Sequence, residues 1–76
     1  MENGNNIWDL TKREEEIVSL MLEGISTVKI AEQLSLSPRT VETHKRNMFI
    51  KCRVKSSVEL VVFVMRNGLT SQLKVA

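Results

Sequence analysis

Two helical stretches in this chain lie only about three residues apart, and that gap constrains the fold more than any other feature. The first opens after Ser26 and turns Ile30, Ala31 and Leu34 inward. The second opens at Ser37 and places Pro38 in its first turn, where the missing N–H costs nothing. Ser35, Leu36 and Ser37 are all that joins them. Two helices so connected must cross at close range, and Ala31 is small where they cross. Leu34, Leu36 and Val41 then form a wedge between them, the layout of a helix-turn-helix.

Two further helices complete the reading. The segment "TKRE" carries a capping box, with Thr11 as N-cap and Glu14 three residues later. Ile17, Leu20 and Met21 follow at helical spacing, and Gly24 stops the helix. Glu14, Glu15 and Glu16 read as solvated first-turn residues favoured by the helix dipole, rather than as a metal or catalytic cluster. The last helix opens with a second box, Ser56 to Glu59, and stops near Asn67-Gly68. Its run "VELVVFV" is β-branched enough for a strand, but the cap and the Asn-Gly stop favour a helix. The expected fold is all-α: four helices bundled around a helix-turn-helix. Residues 1–9 are expected to be an arm or linker remnant, 10–70 the domain and 71–76 a tail. Trp8 reads as a cap on the core rather than a base-stacking residue, because nothing basic surrounds it.

With 76 residues the chain is short for a self-sufficient core, so association with a second copy is the expected support. One cysteine, Cys52, and one histidine, His44, exclude a disulfide framework and a zinc cluster, and no cofactor is expected. No secretory pattern opens the chain, and no apolar run nears the ~20 residues that span a bilayer. A cytoplasmic protein is expected. No nucleophile–base pair, paired acids or phosphate loop suggests an enzyme.

The net charge of +2 conceals an asymmetry. Residues 36–56 hold six basic side chains and one acid, a local charge of +5, against −3 for the remainder. Such a split suggests one face turned toward a polyanion. At 100° per residue, Met48 and Cys52 fall within about 20° of Val41 on the third helix, and the three mark its core side. Arg39, Thr43, Arg46 and Ile50 fall opposite, flanked by Glu42 and Asn47. Arginine can donate in pairs to guanine, asparagine to adenine, glutamate can accept from cytosine, and threonine can meet thymine. The expected base-facing set is therefore Arg39, Glu42, Thr43, Arg46 and Asn47. Thr27 and Val28 at the start of the second helix, with Thr40, His44, Lys45 and Lys51, are expected to face phosphates. His44 lies near the core side, so packing competes with phosphate contact there.

These residues resemble the LuxR/FixJ-type (GerE-like) DNA-binding domain of bacterial transcription regulators. The resemblance is carried by "LTKREEEIV" (10–18), "GIS" (24–26), "IAEQL" (30–34), "LSPRTVETH" (36–44) and "KCRV" (51–54), and it extends from about residue 10 to 68. Ser37, Thr40, Val41, Thr43 and His44 are its most specific run. It implies a LuxR C-terminal-like fold, related to winged helices but without a wing, with the third helix reading the major groove. It further implies a homodimer built on the fourth helix, with Val58, Val62 and Met65 near the contact, two DNA half-sites, and RNA polymerase as a further partner. The family usually carries this unit behind a receiver or ligand-binding domain, so either a free-standing regulator or an output domain fits. Against the family pattern, Lys29 stands where a Glu usually closes a box on Ser26. Glu42 stands where many members have Lys, Ser57 replaces a frequent Arg, and Cys52-Arg53 replace a Leu-Gly pair. A protein-interaction module that pairs with a regulator through the fourth helix is the competing expectation. Its weakness is that it has no use for Arg39, Lys45 and Arg46.

Overall fold

The computed structural model describes residues 10–67. Four helices follow one another: α1 (Lys12–Leu22), α2 (Thr27–Leu34), α3 (Pro38–Cys52) and α4 (Ser57–Arg66). No strand occurs among the described residues, so the fold is all-α. The expected arm with Trp8, the Gly68 stop and the 71–76 tail lie outside the described residues.

Each helix starts where a hydroxyl takes up an orphan N–H. Thr11, Ser26, Ser37 and Ser56 accept from the amides of Glu14, Lys29, Thr40 and Glu59. At α1 the box closes, because the Thr11 N–H donates back to Glu14 Oε1 at 2.9 Å. At α4 it does not. Ser56 has φ −150°, far from the −71° to −81° of the other caps, which turns its N–H away. Glu59 Oε1 accepts instead from the Lys55 N–H, at 2.9 Å. At α2 only half a box exists: the Lys29 N–H reaches Ser26 Oγ at 3.3 Å, and its ammonium lies 3.8 Å from Glu32.

Three successive helices end in the same doubly hydrogen-bonded turn. The pairs are Ile25 N–H to Leu20 O with Gly24 N–H to Met21 O, Leu36 to Ala31 with Ser35 to Glu32, and Val54 to Phe49 with Arg53 to Ile50. This is the Schellman pattern, which needs a left-handed residue at its turn and an apolar one after it. Gly24 (φ 83°), Ser35 (φ 58°) and Arg53 (φ 60°) supply the first. Ile25, Leu36 and Val54 supply the second, each packed on the core. The α2–α3 turn is thus fixed at both ends, by Ser35 behind and Ser37 ahead. Only Gly24 adopts its angle without strain, since the left-handed region costs other residues about 1–2 kcal/mol. Arg53→Gly is expected to stabilise the domain by about 1 kcal/mol, a rise in Tm of roughly 4–8 °C. An unchanged melting curve would show that Arg53 carries no strain.

The core is Leu10, Ile17, Val18, Ile30, Ala31, Val41, Met48, Cys52, Leu60 and Val64. α3 packs against each of the other three helices and runs through the middle of the bundle. Leu34 and Leu36 lean on this core beside Val41, as a wedge between α2 and α3 must. Cys52 is a buried free thiol. Burial, and then the Glu14 carboxylate, push its pKa up against the opposing pull of Lys51, so it is a thiol at neutral pH.

Glu14 departs from the expectation of a solvated first turn, although Glu16 is exposed. Its side chain is 3% exposed, and Oε1 takes Lys51 Nζ at 2.7 Å as well as the Thr11 N–H. On the helical wheel Glu14 lies on the same side as Val18 and Met21, which carries it inward. The pair ties the start of α1 to the end of α3.

Candidate nucleic-acid interface

α3 is one helix with two opposed faces. Val41 and Met48 have no exposed surface, and Cys52 is buried beside them. Arg39, Glu42, Thr43, Arg46 and Asn47 are all exposed on the other side. Thr43 Oγ1 donates to the Arg39 carbonyl at 3.1 Å, which settles its rotamer and leaves its methyl group and oxygen lone pairs outward. Ile50 lies on the same side at 70% exposure, a large apolar residue among polar neighbours.

The flanking residues divide into two groups. Val28 is exposed at the start of α2, while Thr27, Thr40 and His44 are half-buried around it and along α3. Thr40 Oγ1 lies 3.0 Å from Ser37 Oγ, so part of its hydrogen-bonding capacity serves the α3 cap. Lys45 and Lys51, expected as flanking phosphate cations, both have partners within the fold. Lys45 lies only about 40° from Val41 at 100° per residue, on the core side. Its side chain is 11% exposed, and its ammonium donates to Thr27 Oγ1 at 3.2 Å and lies 3.7 Å from Glu42 Oε2. Lys51 Nζ is bound to Glu14.

On α4, Leu60 and Val64 are fully buried, whereas Val58 (72%), Val62 (40%) and Met65 (59%) face outward. A groove of about 330 Å³ lies beside this patch, lined by Met21, Ile25, Lys45, Val58, Val61 and Val62 among others. No helix among the described residues is long and apolar enough to cross a membrane. None of their His, Cys, Asp and Glu side chains group as a metal site.

The sequence profile of "Bacterial regulatory proteins, luxR family" matches residues 9–64, nearly all of the bundle and both helices of the turn. The chain belongs to this family. The luxR-family domain is a helix-turn-helix unit, and DNA binding and transcription regulation are the family's business. Among its relatives, a response regulatory protein of Escherichia coli, YgeK, is 43% identical over 60 residues, which is 79% of this chain and 41% of that protein. The Bacillus subtilis transcriptional regulatory protein YxjL is 41% identical over 59 residues, 78% of this chain and 27% of its own. The monoamine regulon transcriptional regulator of Klebsiella aerogenes is 50% identical over 52 residues, 68% of this chain and 23% of its own. The chain thus spans between about a quarter and two fifths of the length of these three relatives, and 7% of a matching mycobacterial regulator.

Sequence reasoning missed the burial of Glu14 and Lys45. Both lay on the apolar side of their helical wheels, and their charge masked that signal.

Proposed function

We propose that this luxR-family domain is a sequence-specific binder of double-stranded DNA that regulates transcription in the bacterial cytoplasm. It binds as a dimer, with α3 in the major groove of each half-site. One observation carries the reading: the exposed Arg39–Asn47 face of α3, opposite a fully buried Val41 and Met48. A helix anchored by its back and presenting arginine, threonine, glutamate and asparagine in front has the chemistry to meet base edges. Thr27, the Val28 amide, Thr40 and His44 supply phosphate contacts beside it, and the N-terminal amides of α2 favour an anion. Thr27 Oγ1 accepts from Lys45, which leaves its own O–H free to donate to a phosphate. Lys45 therefore reaches the backbone through Thr27.

Val58, Val62 and Met65 support α4 as the dimer contact, because an exposed apolar stripe without a partner is costly in water. Duplex titration across salt concentrations tests the whole reading. Affinity should fall with a log–log slope of about −0.9 per phosphate neutralised, and a duplex with two half-sites should bind more tightly than one with a single half-site. Val62→Glu should abolish that difference, a coupling of about 1–3 kcal/mol, and leave single-half-site affinity in place. Loss of single-site binding as well would remove α4 from the interface and give Val62 a structural role.

A further inference from the structure

Glu42 is an acid on a face that the proposed function turns toward a polyanion, so it needs a reason to be there. The structure supplies one in the chain of polar atoms behind it. Thr27 Oγ1 accepts from Lys45 Nζ at 3.2 Å, and the same ammonium lies 3.7 Å from Glu42 Oε2. Lys45 is not a mobile surface lysine, since its side chain is 11% exposed, whereas that of Glu42 is 57% exposed. One end of the relay is therefore fixed in the fold and the other opens onto the α3 face. Lys45 and Glu42 are three residues apart on one helix, the spacing at which side chains meet. Thr27, on a different helix, keeps the ammonium from swinging out to solvent.

We infer that Glu42 reads cytosine in the major groove and that Lys45 is the positioning residue that makes this reading possible. This rests on the proposed function and names one base of its target. Cytosine presents an amino donor in the groove, and of the common side chains a carboxylate is the natural acceptor. An unaccompanied carboxylate would be repelled by the phosphates on both sides of the groove. A restrained ammonium at 3.7 Å offsets that repulsion and limits the rotamers of Glu42. The carboxylate has about four lone-pair sites, so the pairing with Lys45 leaves acceptors for a base.

The test is selection of bound sites from random duplexes by the whole chain, run in parallel with Glu42→Gln, Lys45→Met and Lys45→Arg. The parent should enrich cytosine at one position in each half-site. Glu42→Gln should lose that preference by about tenfold and move it toward adenine, the base that an amide pairs with in two places. Lys45→Met should weaken the cytosine preference and leave base preference at the other positions in place, on top of a uniform loss of affinity through Thr27, and Lys45→Arg should restore the preference. Unfolding curves identify any Lys45 variant that fails to fold, and Glu42→Gln, on an exposed residue, then decides the matter. Enrichment by the parent with a cytosine preference that survives Glu42→Gln overturns this inference and leaves the DNA reading intact. A cytosine preference lost in Glu42→Gln but untouched in a folded Lys45→Met removes the positioning role. No enrichment by the parent overturns both.

Discussion

Lys51→Ala should unfold at a clearly lower denaturant concentration than the parent, a loss of about 2–3 kcal/mol. The cause is the carboxylate left behind. Glu14 is 3% exposed, and without Lys51 it must keep a charge out of water with the Thr11 N–H as its remaining described donor. A domain of this size has a stability of roughly 5 kcal/mol, so the loss removes about half of it. Glu14→Gln combined with Lys51→Ala should cost less than the two single changes added together, because the amide needs no counter-charge. A change below about 0.5 kcal/mol for Lys51→Ala would show that the pair behaves as a surface ion pair and that the burial of Glu14 is balanced elsewhere.

Arg46→Ala should weaken binding to the cognate duplex by about 1–3 kcal/mol and relax the preference at one base pair. Arg46 is exposed in the middle of the proposed reading face, on the side of α3 away from Val41. Its side chain is exposed, so the unfolding curve should change little. Binding by titration on cognate and random duplexes separates the two roles an arginine can have. An equal loss on both would make Arg46 a phosphate contact and shift base reading toward Arg39, Glu42 and Thr43.

The fold was legible because its signals are local. Thr11, Ser26, Ser37 and Ser56 lie at the four helix starts, each one residue ahead of the first helical residue. The apolar spacing of Val41, Met48 and Cys52 gave the buried side of α3, and thereby the exposed one. The pairings that cross the bundle were not legible. Glu14 and Lys51 are 37 residues apart, and no periodicity relates them. The burial of Lys45 was not legible either, because a positive charge on a basic segment suggests a phosphate, while its angle on the helix turns it inward. The turn residues fall between these cases. Arg53 could be seen to stand where a glycine is usual, but its left-handed angle became visible only in the backbone. Ser35 adopts the same angle with nothing in its neighbours to announce it, since serine serves as readily at a cap.

Selection of bound sites from a pool of random duplexes, followed by salt-titrated binding of the winner, decides whether α3 reads sequence as part of a dimer. A dimeric reader should enrich a pseudo-palindromic site and hold it about 10³-fold or more above random DNA. A pool that stays random, with weak binding that disappears as salt rises, would contradict sequence-specific reading by α3 and favour a protein partner for α4.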